Sequence, residues 1–394
     1  MNTLYFDNNA TTQVAQEVID CMLPYFRDYY GNPSSMHTFG GKVYRKIEEA
    51  REKVASLIGA DPDEIFFTSC GTESNNTAIM SAIETNPEKK HIITTKVEHP
   101  AVLNFCKHLS RKGYQVTYLP VDSKGRLEIE SFFRVIDNDL ALVSIMYANN
   151  ETGVIFPIEK IGELLKGRKV IFHTDAVQIV GKLPVNVKNL PVDMLSLSGH
   201  KIHAPKGIGA LYVRKGTQFY PYIIGGHQEN GRRAGTENVA FIIGFGKACE
   251  IAAKNIQKEV HFVKQLRDKL ENGLLKNCPD ASINGDTENR LPNTSNMSFE
   301  FVEGEAILLR LDEYGICASS GSACTSGSLE PSHVLRAMGV RNTAIHGSVR
   351  FSLSRYNQEK EIDKVIEVMP EIIKDLRLIS PFGRERRIEK GCTS

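Results

Sequence analysis

At 394 residues, 41% hydrophobic and 24% charged, the chain is long enough for about two domains, each with its own core. Its 48 Lys and Arg against 47 Asp and Glu leave a formal net charge of +1, which removes the long-range electrostatic reason to expect nucleic acid or an anionic membrane as partner. Eight cysteines without a Cys-x-x-Cys pair are too few for a disulfide scaffold; with no apolar run of about 18 residues and no signal-like N-terminus, a reducing, cytoplasmic setting is expected.

From Lys42 to about Val213, short apolar runs alternate with amphipathic stretches. Val43, Ile47, Ala50, Val54, Leu57 and Ile58 recur at helical spacing over residues 41–58, and Gly59 ends the stripe. Residues 64–69 are β-like, and Gly71-Thr72-Glu73 opens another helix. Further buried strands are expected at 91–95, 141–148, 169–173, 194–197 and 208–213. Strands separated by helices imply an α/β architecture, a mostly parallel sheet covered on both faces. A long charged amphipathic helix over residues 248–275 follows as a hinge between domains. Shorter strands at 295–301 and 347–353 come next, then a helix with Ile362, Val365, Met369, Ile372 and Leu376 on one face, which Pro370 should kink or cap. Residues 382–394, with Arg384, Arg386, Arg387 and Lys390, are expected to form a mobile tail.

Ser198-Gly199-His200-Lys201 follows an apolar strand. A lysine at such an exit can be desolvated enough to lose its proton and form a Schiff base, although a solvated surface charge is the commoner fate. Asp175 closes an earlier strand, and open α/β sheets bind ligands at that end. Pyridoxal phosphate needs such a carboxylate to keep its ring nitrogen protonated; the plain alternative for Asp175 is a helix cap. Gly71 and Thr72 at a helix start offer donors to a phosphate, which Ser198 and His200 could approach from another turn. His99, just beyond a strand, is either a stacking partner for an aromatic cofactor or an ordinary loop histidine. The small residues of 318–328 predict an exposed, mobile loop, in which Cys324 suits a nucleophile better than a packing residue. Cys70 and Cys317, beside apolar strand residues, are expected in the core.

These residues together resemble the cysteine desulfurases of the NifS/IscS type, in the class V aminotransferase family of fold-type I pyridoxal-phosphate enzymes. The likeness runs from Tyr5-Phe6-Asp7-Asn8-Asn9-Ala10-Thr11-Thr12 through Gly31-Asn32-Pro33-Ser34-Ser35 and Ala148-Asn149-Asn150-Glu151-Thr152-Gly153 to Ser322-Ala323-Cys324-Thr325. Residues 225–238 look nearer to NifS than to IscS, Ala204 stands where many relatives have Gly, and the tail after Leu378 does not match the long IscS-type end. The resemblance implies a large cofactor domain over 14–255, with a seven-stranded-type sheet between helices. Residues 1–13 and 256–394 would form a smaller α+β domain carrying the cysteine loop.

By the same resemblance Lys201 would hold pyridoxal 5'-phosphate covalently, Asp175 would pair with its ring nitrogen, Gln178 would bond the ring hydroxyl, and His99 would stack on the ring and move protons. Gly71, Thr72, Ser198 and His200 would hold the phosphate, joined by Thr236 from a second subunit, which implies a homodimer. Arg350 would grip the substrate carboxylate with Asn150 nearby, as the guanidinium fork suits two parallel hydrogen bonds. The implied reaction converts L-cysteine to L-alanine and leaves a persulfide on Cys324. That persulfide would pass to an iron–sulfur scaffold protein, with transient contact between Cys324 and cluster metal. Alternatives are a selenocysteine lyase, another class V reaction, or a non-catalytic scaffold; intact Lys201, Asp175, His99 and Cys324 argue against the last. No His-Glu-x-x-His or similar spacing supports a metal hydrolase.

Overall fold

The computed structural model describes residues 3–320 and 331–380. Its central sheet has seven strands in the order Ile65–Thr68, Gly209–Val213, Met194–Ser198, Ile171–Asp175, Leu140–Ser144, His91–Thr95 and Gln115–Leu119. Only Gly209–Val213 runs against its neighbours; the others share one direction, so the expected mostly parallel α/β sheet is present. Period-2 alternation sends successive side chains to opposite faces. Ile92, Leu142, Met194 and Leu211 pack on the side of the Gly71–Thr85 helix, with Ala78 and Ile79. Their neighbours Ile93, Val143, Leu195 and Tyr212 join a larger core with Val54, Ile58 and Phe245. Burial on both faces explains why the interior strands read as continuous apolar runs.

A second core surrounds a three-stranded antiparallel sheet of Ser348–Ser352, Thr294–Phe299 and Ala281–Ile283. Phe6, Phe299, Phe351 and Met369 are among its buried side chains. The 39-residue helix Val239–Asn277 serves both cores: Ile242, Phe245, Ala248 and Ala252 enter the first, Val263, Leu266, Leu270 and Leu274 the second. The helix Glu359–Ile379 does not end at Pro370 but passes through it. Val365, Met369, Ile372 and Ile373 are buried along its face. At roughly 1.5–3 kcal/mol for each large buried side chain, that anchoring exceeds the ~3 kcal/mol an internal proline costs.

The N-terminal arm joins the two cores. Leu4–Tyr5 pairs in parallel with Ile316–Cys317, and the Asn8 N–H donates to the Ser352 carbonyl at 3.1 Å. Four residues on, the Thr12 N–H donates to the His200 carbonyl at 3.0 Å, beside the turn that carries Lys201. Cys70 and Cys317 are half-buried rather than in the core. Cys70 stands at the N-cap of its helix and Cys317 on a two-residue strand at the arm, where only one partner strand covers it.

Candidate active site

Asp175 and Ser198 are the last residues of adjacent parallel strands, so the sheet brings both to the same edge, Ser198 two residues beyond Ser196, the register partner of Asp175. The Asp175 carboxylate is buried and oriented from two sides: Oδ2 accepts from Asn75 Nδ2 at 2.6 Å and Oδ1 from the Val177 N–H at 3.0 Å. A single 3-10 turn, Gly199–Lys201, follows Ser198 and carries the lysine back under the N-terminal arm. There the Lys201 Nζ donates to the main-chain carbonyls of Asn9 at 2.6 Å and Ala10 at 2.7 Å. Gln178, three residues beyond Asp175, donates through Nε2 to the same Asn9 carbonyl at 3.0 Å.

His99 caps the helix Pro100–Arg111, its Nδ1 accepting from the Ala101 N–H at 3.1 Å. That bond leaves Nε2 to carry the proton of the neutral ring. Burial lowers the His99 pKa, the Asp175 charge opposes this, and Lys201 and His333 lower it further, so the imidazole lies in the field of both Asp175 and Lys201. The preceding Glu98 is fully buried, accepts from the Met146 N–H through both oxygens at 3.0 Å and from Thr95 Oγ1 at 2.8 Å, and is pushed up to about 8, chiefly by burial.

A phosphate would find a place beside these groups. The helix Gly71–Thr85 has no side-chain cap on its first N–H groups, and Thr72 is exposed in its first turn. A Cβ on Gly71 would stand 2.9 Å from Val177 Cγ2 and 3.9 Å from Ser198 Oγ, so the glycine lets strand end and helix start approach closely. The Ser198 hydroxyl is buried there without a hydrogen-bond partner. An open helix N-terminus beside an unsatisfied hydroxyl fits an anion with several acceptor oxygens. His200 stays neutral, pushed down to about 3 first by burial and then by Lys201, Lys206 and Lys182, and its Nδ1 lies 3.2 Å from Thr11 Oγ1.

On the other side, Arg350 comes from the second core's sheet and is almost fully buried. Its Nη1 donates to the Asn150 carbonyl at 3.0 Å and its Nη2 to Asp7 Oδ1 at 2.7 Å, while Nε has no partner. Asn150 thus enters the site through its main chain.

Thr236 lies apart: it is exposed, in a cleft shared with Phe67, Ser69 and Gly207. Its segment is anchored by Glu229, which takes Arg51 Nη1 at 2.6 Å, Arg51 Nη2 at 2.9 Å and the Phe67 N–H at 2.8 Å. Cys324 and residues 321–328 of its loop lie outside the described residues, as does the basic tail. At the loop's start Ser319 is buried rather than exposed, because its backbone exchanges hydrogen bonds with Arg350 at 3.2 and 2.7 Å. Asp7, Asn9, Asn75, Glu98 and Lys182 carry no role in the sequence reading, yet all bond to or surround the predicted groups. For Asn75 the available signal was an amide on the buried face of the helix that Gly71 opens. Among the described residues no His, Cys, Asp and Glu cluster could hold a metal ion, and no helix is long and apolar enough to cross a membrane.

The class V aminotransferase family model matches residues 4–365. A cysteine desulfurase of Trichormus azollae is 61% identical over 385 residues, 98% of this chain and 96% of that protein. The cysteine desulfurase NifS of Azotobacter vinelandii is 57% identical over 383 residues, covering 97% and 95% of the two chains. A solved NifS-like protein superimposes with a TM-score of 0.90 at 43% identity, over 95% of this chain and all of that one. With the strand-end aspartate, the arm-held lysine and the buried arginine in place, the chain belongs to the class V aminotransferase family, among its NifS-like cysteine desulfurases.

Proposed function

We propose that this chain is a pyridoxal-phosphate-dependent cysteine desulfurase that converts L-cysteine to L-alanine, stores the sulfur as a persulfide on Cys324 and supplies it for iron–sulfur cluster assembly. The observation that carries the reading is the meeting of an oriented carboxylate, a lysine amine and an unsatisfied hydroxyl beside an open helix N-terminus, within one turn of two neighbouring strand ends.

Pyridoxal phosphate, when bound, supplies an electron-accepting ring that stabilises negative charge at the substrate's α-carbon. Lys201 would hold it covalently, and its amine would move the substrate's α-proton. Asp175, fixed by Asn75 and the Val177 N–H, keeps the ring nitrogen protonated. Gly71, Thr72, Ser198 and His200 hold the phosphate, and His99 offers its Nε2 side to the ring and to proton transfer. Arg350 keeps N–H groups beyond those spent on Asp7 and Asn150, and these take the substrate carboxylate. The Cys324 thiolate then bonds to the substrate sulfur as the carbon–sulfur bond breaks, so the electron pair leaves with the carbon fragment that becomes alanine.

Ala252 and Val263 enter different cores, which supports a division into a cofactor-binding part, 14–255, and a smaller part made of 1–13 with 256–394, although Leu291, Val334, Leu335, Met338 and Ile345 of the latter pack into the first core. Exposed Phe26, Tyr29, Tyr30, Met36, Tyr220 and Ile224, with Thr236 exposed, support a homodimer in which Thr236 completes the partner's phosphate site. Purified protein given L-cysteine and a thiol reductant should release equal amounts of alanine and sulfide and show a visible cofactor band. Sedimentation should give a dimer mass. Wild-type sulfide release from Cys324→Ala would refute the role of that thiol.

A further inference from the structure

Lys182 is the least expected group near the site. Its amine donates to Gln178 Oε1 at 2.7 Å and to Asn9 Oδ1 at 2.9 Å. Both amides are fixed from their nitrogen ends by acceptor-only groups: Gln178 Nε2 donates to the Asn9 carbonyl at 3.0 Å, and Asn9 Nδ2 to the Asn150 carbonyl at 3.1 Å. A carbonyl cannot donate, so each amide oxygen must face Lys182. Asn9 also takes Asn293 Nδ2 on Oδ1 at 3.0 Å and donates to Thr294 Oγ1 at 2.9 Å, which fills both donors and both acceptor sites of its amide. Burial, then the charges of Lys201 and Arg350, hold Lys182 well below the ordinary lysine range. Charged or neutral, the amine has the two N–H groups that these oxygens require. Lys201 and Gln178 also converge on one acceptor, the Asn9 carbonyl, so whatever fixes Asn9 fixes the resting place of both.

We propose that Lys182 is a positioning residue: by engaging the amide oxygens of Gln178 and Asn9 it leaves Gln178 only N–H to present to the cofactor's ring oxygen, and it pins the carbonyl against which Lys201 rests. This rests on the pyridoxal-phosphate reading above. Without Lys182 two buried amide oxygens lose a donor, and the Gln178 amide is free to turn its oxygen toward a ring oxygen that would repel it.

The test uses the holo-protein and the pH titration of its visible cofactor band. An N–H donor facing the ring oxygen favours the deprotonated form of the chromophore, so Lys182→Met should raise the titration midpoint by about half a unit to one unit, a threefold to tenfold change typical of one lost hydrogen bond. The dissociation constant of pyridoxal phosphate from apo-protein should rise by a similar factor. Lys182→Arg, which keeps the donors, should restore at least half of the midpoint. In a Gln178→Leu background, Lys182→Met should leave the midpoint where Gln178→Leu alone puts it. Wild-type midpoint and dissociation constant in Lys182→Met, or a full further shift in the Gln178→Leu background, overturn the proposal. Should Lys182→Met not fold, Gln178→Glu keeps an oxygen for Lys182 while deleting the N–H; its midpoint must rise, and an unchanged one overturns the proposal equally. A cofactor band that survives Lys201→Ala would instead sink the cofactor assignment, leaving the hydrogen-bond geometry untouched.

Discussion

The two sides of the site are built by different kinds of segment. On the sheet side, Asp175 and Ser198 end parallel strands and Lys201 follows within one 3-10 turn, so their placement comes from a backbone ladder. On the arm side, Asp7, Asn9 and Arg350 belong to no shared ladder of the large sheet and are tied by side-chain bonds between residues hundreds of positions apart, such as Arg350 to Asp7 and Asn9 to Thr294. The sheet side presents groups that work on the cofactor, while the arm side sets where the amine and the substrate carboxylate lie. Backbone order places the groups for the first task, with Asn75 orienting Asp175 by one long-range bond, whereas the second depends on long-range polar satisfaction throughout.

The largest effect should come from the sheet side. Lys201→Ala should lower cysteine turnover by on the order of 10³-fold or more and abolish the covalent cofactor band, with the melting curve of the apo-protein nearly unchanged. A variant that kept the band would break the comparison outright. On the arm side, Arg350→Gln should raise the KM for cysteine roughly 10–100-fold through the lost charge-assisted bonds. Arg350→Lys should recover little, because a point charge cannot serve the Asn150 carbonyl, Asp7 and a substrate carboxylate in the geometry of a fork. A third region sharpens the contrast. Glu229→Gln breaks a buried ion pair with Arg51 in the segment that bears Thr236 and should cost about 3 kcal/mol, measured by denaturant unfolding. If neither stability nor cofactor affinity moved, the anchoring of that segment would be misassigned.

The same contrast explains what the sequence disclosed. Interior strands were legible because burial on both faces leaves apolar runs, whereas the edge strand Gln115–Leu119 was missed, being polar at its start and only partly covered. The helix Val239–Asn277 begins nine residues before the predicted 248, in a stretch whose Gly244 and Gly246 have low helix propensity. In the fold they are close-packing points: a Cβ on Gly244 would meet Met22 Sδ at 2.5 Å, and one on Gly246 would meet Ala50 at 2.7 Å. Asp175 and Lys201 stood out by their position at strand exits. Asn75, which orients Asp175 across 100 positions, showed only as an amide on a buried helix face, and Lys182, which acts through Asn9, left no local pattern to read. Asn9 was visible only within a motif, without a role.

The most gradual effect, spread over several pH units, concerns Glu98, which shares the field of Asp175. Its carboxyl is raised from 4.5 to about 8, mainly by burial, with the Asp175 charge adding to it. Between those values the folded chain keeps a proton that the unfolded chain releases, so unfolding free energy must fall as pH rises through that window, by at most about 1.4 kcal/mol per pH unit. Glu98→Gln should remove this share of the slope while remaining parallel to wild type below about pH 4.5. A weaker decline should persist, because burial raises Glu151 to about 7, against the opposing effect of Ser332 and Arg350, and so contributes with the same sign. Urea melts of both proteins at several pH values would measure the difference. Identical slopes would mean that Glu98 is ionised in the folded chain, and its double contact with the Met146 N–H would then be a charge-assisted clamp rather than a neutral one.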